Sequence, residues 1–464
     1  MNTLKVYAPF DQSVIQEIPL KTAEEMQTVI EKAHALFNHR NAWIPKYKRV
    51  EILENIARLM SKRSEEIIET SAREGGKPLV DTRVEMARAI NGVKLAIENI
   101  GHMGGDEIPM GHTASSINRM AFTMREPIGV VASVSAFNHP INLIIHQTIP
   151  AIAVGSPVII KPAPTTPLTC LLLNKIFHEA GLPDGWCTTM VCDNDVAELL
   201  VTSPKVNFFS FIGSAKVGWY LRSKLSPGTR CALEHGGAAP VIVEPDADIK
   251  SMLPALVKGG YYHAGQVCVS VQRVFVHQDI INDVASKMSE MVKDISTGDP
   301  LKEETDAGPL ILPKEVDRVE EWVNEASNAG GKILCGGSRI SDTCFEPTLI
   351  LDPPDDVKVS TQEIFGPVVC LYSYSDREEA IKRANGLEYA FQASVFTKNI
   401  DAALDTMQKL NASAVMINDH TAFRVDWMPF GGRDSSGLAI GSIPHSMHDM
   451  TREKMMVIKS DVII

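Results

Sequence analysis

Residues 130–137 read VVASVSAF, and three more short apolar runs follow: PVIIKPA at 157–163, TTMVC at 188–192 and NFFSF at 207–211. Each is rich in β-branched or aromatic residues, and each precedes a helical segment. A chain alternating strand and helix at this spacing builds a parallel sheet covered on both faces. Ligands of such sheets sit beyond the carboxyl ends of the strands. The chemistry is therefore expected in the loops after Phe137, Lys161 and Phe211.

Upstream, the chain reads as helical. Thr22 and Glu25 have the spacing of a capping box, and Met26, Val29, Ile30 and Ala33 recur on one helix face. Val50, Leu53, Ile56, Ala57 and Met60 repeat that pattern, and further helix is expected over 82–100. Downstream comes a second set of strands: PVIV (240–243), QRVFVH (272–277), VVCLYSY (368–374), ASVFT (393–397) and AVMIND (414–419). Helices lie between them, notably over 314–329, which makes a second α/β domain. The tail MMVIKSDVII is apolar and β-rich; alone it is a sticky edge, so pairing with another subunit is expected. INRMAFTMREP (117–127) has the alternation of a strand suited to the same purpose.

At 464 residues the chain is too long for one small core, so two large domains are expected. A net charge of −12 argues against nucleic acid or an anionic membrane as partner. No apolar run approaches the ~20 residues needed to span a bilayer, and the start lacks a basic segment before an apolar core. The eight cysteines are scattered with no C-x-x-C pair, which suits free thiols in a reducing cytoplasm. No histidine pair has the helical spacing of a metal site, so no metal is expected.

One cysteine stands apart. Cys268 sits in YHAGQVCVSVQ (262–272), just after Gly265 and Gln266. Most such thiols are inert core residues. Asn138 in AFNHPINL follows a strand end, where asparagine is usually a turn residue. Lys161 in VIIKPAPTTP also ends a strand, where lysine is usually just solvated. FIGSAKVG (211–218) presents backbone N–H groups to an anion at Gly213-Ser214, yet strand–Gly–helix turns are common and this is not G-x-G-x-x-G. LEHGG places Glu234 before two glycines. Singly, each feature favours its plain structural reading.

Their order changes that. Asn138, Lys161-Pro162, Phe211-x-Gly213-Ser214, Glu234-x-Gly236-Gly237, Gly265-Gln266-x-Cys268, Glu363-Ile364-Phe365-Gly366-Pro367 and Pro429-Phe430-Gly431-Gly432 follow one another along the chain. From about Lys21 to the tail this resembles the aldehyde dehydrogenase superfamily. AGQVCVSV and INDHTAFRVDWMPFGG are similar to its lactaldehyde-dehydrogenase-like group.

The resemblance implies two doubly wound α/β domains, a Rossmann-like cofactor domain (1–108 with 128–236) and a catalytic domain (237–436). It adds a small oligomerisation β element (109–127 with 437–464) that makes a homodimer or homotetramer. It implies oxidation of a small aldehyde with NAD(P). Cys268 would be the nucleophile, Asn138 and the Cys268 N–H the oxyanion donors, and Glu234 the base that activates water. Phe137, Lys161, Gly213, Ser214, Glu363 and Phe365 would hold the cofactor. Pro164 stands where NAD-preferring members often carry an acid, so NADP is expected to be tolerated or preferred. Arg433 stands where lysine is common.

His139, His420, Phe423, Arg424 and Trp427 lie beside matched positions and are candidates for the substrate pocket. The histidines read equally well as loop or capping residues. Arg424 is suited to a carboxylate, phosphonate or sulfonate, or to pairing with Asp426 or residues beside Glu234. The expected substrate is a small aldehyde, hydroxylated or anionic. A CoA-acylating semialdehyde dehydrogenase would dispense with Glu234. A non-catalytic scaffold on this fold would have lost Cys268, Asn138 or Glu234, and all three are present.

Overall fold

The computed structural model describes residues 2–463. Its first sheet has six strands in the order Gly437–Leu438, Arg230–Glu234, Val206–Ile212, Val130–Val134, Val158–Lys161 and Cys187–Thr189. The first of these runs antiparallel and the rest are parallel. The four apolar runs of the sequence are the four strands at its centre and far edge. From Val130–Val134 the chain winds outward to Cys187–Thr189, then returns to the other side at Val206–Ile212. The winding reverses between those two central strands, which opens a crevice at their carboxyl ends.

Two helices that follow central strands, Pro140–Val154 and Pro167–Glu179, both begin with proline and have no side-chain cap from their own N-cap residue. Distant carboxylates take the free amides instead. Glu85 accepts from Ile141 and Asn142, both at 2.8 Å, and Glu74 from Leu168 and Thr169, both at 2.7 Å. The outer helices match the periodicity. Ala23–Asn38 carries the Thr22–Glu25 capping box, and Met26, Ile30 and Ala33 are buried. Lys46–Lys62 buries Leu53, Ile56, Ala57 and Met60, and the helix expected over 82–100 is Leu79–Ile100.

The second sheet has seven strands: Lys332–Cys335, Thr348–Leu351, Val368–Tyr374, Arg273–His277, Pro240–Val243, Gln392–Phe396 and Ala414–Ile417. Only Lys332–Cys335 is antiparallel. All five expected runs are present, and Pro313–Asn328 is the expected helix. The carboxyl-end rule fails here in an informative way. Cys268 lies in the loop that feeds Arg273–His277, and Glu363 in the loop that feeds Val368–Tyr374. This sheet therefore offers its amino ends to the carboxyl ends of the first.

Two expectations are corrected. The chain opens with a hairpin, Thr3–Tyr7 against Val14–Pro19, before any helix. The tail strand Thr451–Lys459 pairs antiparallel with Arg119–Pro127 over their full length, the combination expected of the small β element, and Glu107–Ile108 completes that sheet. Its other edge is open, with Met455, Met456, Val457 and Ile458 exposed. Residues 437–450 do not stand with that tail. Gly437–Leu438 joins the first sheet, and the helix Ile443–Asp449 buries Ile443 and Met447 in the first core. Apolar side chains that point inward decide this, whereas those of the tail strand point out. Among the described residues, no helix is long and apolar enough to cross a membrane.

Met447→Ala is expected to cost about 2–5 kcal/mol, since the side chain is fully buried. Met455→Ala, at a side chain 55% exposed, should stay within about 0.5 kcal/mol of wild type. Denaturant midpoints of the two variants measure the difference.

Candidate active site

The facing ends of the two sheets enclose a cavity of about 520 Å³. Asn138, Glu234 and Cys268 all line it, as do Phe137, Gly213, Ser214, Glu363 and Phe365. The loop that delivers Cys268 is strained. His263, Ala264 and Gly265 have φ of +50°, +52° and +69°, three left-handed residues in succession. Glycine is required at 265, where a Cβ would lie 2.1 Å from the Gly366 carbonyl oxygen. Buried hydrogen bonds hold the turn: the His263 N–H donates to Asp81 Oδ2 (3.2 Å). The Gln266 side chain donates to the Pro309 carbonyl (3.2 Å) and accepts from the Ile311 N–H (2.9 Å).

Asn138 Nδ2 donates to the Gln266 carbonyl at 3.0 Å. A carbonyl can only accept, so this bond fixes which way the amide faces and leaves its second N–H free. The Cys268 N–H makes no hydrogen bond to another residue among those described. Cys268 Sγ lies 3.9 Å from Glu234 Oε1. Burial pushes the Cys268 thiol well above its ordinary range, and the Glu234 charge adds to this. Burial also raises Glu234, against the pull of Arg424. Two acids that resist ionisation in contact, at a cavity wall, are suited to exchanging a proton.

At the other end of the cavity, Gly213-Ser214 starts the helix Ala215–Arg222. The Gly213 N–H donates to the Glu234 carbonyl (3.0 Å), so this turn and the strand end carrying the carboxyl are directly joined. Glu363 accepts from the Gly237 N–H (3.2 Å), and a Cβ on Gly236 would lie 1.7 Å from its Oε1. Gly236 therefore lets that carboxyl approach, where any side chain would block it. Burial raises Glu363 to about 7. Phe365 meets Phe137 edge-on at 5.8 Å. Arg318, stacked 4.7 Å from the Trp322 ring, also lines this end, with a buried Nη1 that has no partner among the described residues. Lys161 is buried at its strand end outside the cavity wall, which Ala163 reaches instead; Pro164 is exposed.

The expected pocket residues divide. His139 lines the cavity, edge-on to Tyr262, and burial, with Lys77 next in effect, pushes its imidazole well below the usual range. Arg424 lines the cavity with its guanidinium 3.6 Å from the Phe430 ring centroid. The expected alternative, an Arg424–Asp426 pair, does not form. Asp426 is taken by Arg88 (2.7 Å), His146 (2.9 Å) and Asn142 (3.2 Å). Although burial opposes it, these partners hold Asp426 far below the usual carboxylate range. Arg424 pairs with no carboxylate among the described residues, and its buried Nε has no partner. Phe423 and Trp427, 42% and 54% exposed, lie outside the cavity wall. His420 accepts from the Ala422 N–H and is a local turn residue.

Sequence reasoning missed Arg88, Tyr262 and Arg318. Tyr262 was in plain view beside Gly265-Gln266-x-Cys268. Arg88 and Arg318 lie on helices whose pattern reports only a buried and a wet face, and no local signal marks them.

The model of the aldehyde dehydrogenase family matches residues 1–456. A 3-sulfolactaldehyde dehydrogenase of Priestia aryabhattai is 36% identical over 456 residues, 98% of this chain and 94% of that protein. A lactaldehyde dehydrogenase of Methanocaldococcus jannaschii is 36% identical, over 98% and 97% of the two chains. The crystal structure of the glyceraldehyde-3-phosphate dehydrogenase GapN of that organism, complexed with NADP, superposes with a TM-score of 0.94 at 35% identity, over 98% of this chain and 99% of that one. Whole-length likeness of this kind, with the shared motifs gathered around one cavity, makes this chain a member of the aldehyde dehydrogenase family of NAD(P)-dependent oxidoreductases.

Proposed function

We propose that this protein oxidises a small anionic aldehyde to its acid through a covalent thioester on Cys268. The observation that carries the reading is the meeting of Cys268, Glu234 and the Gln266-anchored Asn138 in one cavity, with Sγ 3.9 Å from the carboxyl. Sγ attacks the aldehyde carbon as its proton passes to Glu234, and the carbonyl oxygen becomes an oxyanion. The second Asn138 N–H and the Cys268 N–H stabilise it, each worth about 3–4 kcal/mol. A nicotinamide cofactor held by Glu363 and Gly213-Ser214 would supply the acceptor for the hydride that this carbon expels. Glu234 gives up that proton to solvent and then takes one from water as it attacks the thioester; passing this proton to the departing Sγ releases the acid and restores both the thiol and the ionised carboxyl. Glu234 beside the sulfur favours water over CoA as acceptor.

The residues present fit the cofactor. Gly236 clears room for Glu363, which would hold the nicotinamide ribose, Gly213-Ser214 opens a helix whose amides would meet the pyrophosphate, and Arg318, with its orphaned Nη1, lines the same end. With Pro164 in place of an acid, nothing at that position repels a 2′-phosphate, and NADP is the preferred form. On the substrate side, Arg424 is an unpaired cation, and the relatives named for sulfolactaldehyde and glyceraldehyde 3-phosphate act on anionic aldehydes. The first sheet with its helices is the cofactor domain and the second the catalytic domain. The open edge of the tail strand joins copies into a homodimer or homotetramer. The eight free thiols suit the cytoplasm.

Cys268→Ser is expected to abolish cofactor reduction with every aldehyde. Glu234→Gln should slow the burst of reduced cofactor and slow the later steady state by about 10²–10⁴, read by absorbance. Burial raises Glu234, so it stays protonated to higher pH than an ordinary glutamate. A base must be ionised, and wild-type kcat should therefore fall as pH falls through that raised value; a Glu234→Gln steady state as fast as wild type would remove the base. Arg424→Ala should raise KM about tenfold or more for carboxylate- or sulfonate-bearing aldehydes while sparing propanal; equal losses on both would exclude the clamp. NADP should give the higher kcat/KM, and exclusive use of NAD would end that assignment.

A further inference from the structure

Residues 74–85, EGGKPLVDTRVE, take no part in the chemistry above, yet they reach three of its loops. Glu74 caps the helix that follows the Lys161 loop, through the Leu168 and Thr169 amides. Asp81 accepts from the His263 N–H in the left-handed turn that delivers Cys268, and its other oxygen accepts from Lys258. Glu85 accepts from the Ile141 and Asn142 amides, three and four residues after Asn138, and its second oxygen is paired with Lys77. All four ionisable groups are buried, with Glu74 and Lys77 at 0% and 1% exposure. Burying a lysine and three carboxylates is costly unless each is paired or fully hydrogen-bonded. The helix after Asn138 has no local cap, since His139 makes no capping bond. A serine or aspartate at that position would cap it more simply.

We propose that Glu85 and Asp81 are positioning residues for the acyl-transfer centre. Both lie on the helix Leu79–Ile100, one turn apart. Glu85 grips the Asn138 loop of the first sheet, and Asp81 grips the Cys268 loop of the second. This rigid helix thereby sets the spacing between the oxyanion donor and the nucleophile, and Lys77 supplies the countercharge that keeps Glu85 in place. The inference rests on the reading of Asn138 as an oxyanion donor.

The test uses the full-length enzyme with saturating NADP and compares Glu85→Gln, Glu85→Asp, Asp81→Asn and Asn138→Ala. Three quantities are read: the burst rate of cofactor reduction, the alkylation rate of Cys268 by iodoacetamide, and the number of alkylated Cys268 per chain. Alkylation needs the sulfur but no oxyanion donor. Glu85→Gln should slow the burst about tenfold to a hundredfold, with alkylation rate, thiol count and KM unchanged. Glu85→Asp, which keeps the charge beside Lys77 but is too short for both amides, should slow it less. Asp81→Asn should slow alkylation as well. A wild-type burst in Glu85→Gln, or a loss matched by a fall in thiol count in both Glu85 variants, overturns the inference. An impaired Asn138→Ala beside an unimpaired Glu85→Gln overturns this inference alone. An unimpaired Asn138→Ala overturns the oxyanion reading and this inference with it.

Discussion

A single buried hydrogen bond, Asn138 Nδ2 to the Gln266 carbonyl at 3.0 Å, joins the loop of one sheet to the loop of the other. Everything chemical in the protein sits beside it. Because the first sheet presents carboxyl ends and the second presents amino ends, each loop can be short and stiff. The Asn138 loop runs straight into a helix, and the Cys268 loop is locked by three left-handed residues and the Gln266 side chain. Precision between domains comes from hydrogen bonds to backbone, which fix direction as well as distance. Apolar packing alone would hold the domains together without fixing the amide.

The cavity shows how buried charge is distributed. Asp426 has four hydrogen bonds from three partners and is held strongly anionic, whereas Glu234 and Glu363 have few and are pushed up by burial. Carboxyls with opposite surroundings serve opposite ends: one orients Arg88, the others remain free to gain or lose a proton or to accept from a ligand. Among the described residues Arg424 pairs with no carboxylate, and Asp426, two residues on, is taken by Arg88. An unpaired guanidinium over an aromatic ring is a poor structural element and a good anion receptor. The exposed Phe423 and Trp427 flank it in sequence but not in the cavity.

The period of the apolar residues determined a great deal. It marked the strands and helices of both α/β units, because a parallel sheet buries both faces and leaves continuous apolar runs, while a surface helix buries one stripe. The order of short motifs determined the family and the residues gathered at the cavity, since glycine, cysteine and asparagine at those positions answer to steric or chemical needs that a sequence records directly. Gly265 and Gly236 are such cases, each facing a backbone or carboxyl oxygen where no Cβ fits.

Tertiary structure alone decided the rest. That Arg88 rather than Arg424 pairs with Asp426 depends on which of two guanidiniums a helix from far upstream brings closer. That 437–450 belongs to the first core, and the tail strand to Arg119–Pro127, depends on which apolar face finds a partner. That Glu74, Asp81 and Glu85 hold three separate loops leaves no local trace, because a carboxylate gripping a distant backbone amide looks in sequence like any acid on a helix. A backbone N–H carries no residue identity, so such contacts become legible only when the chain is folded.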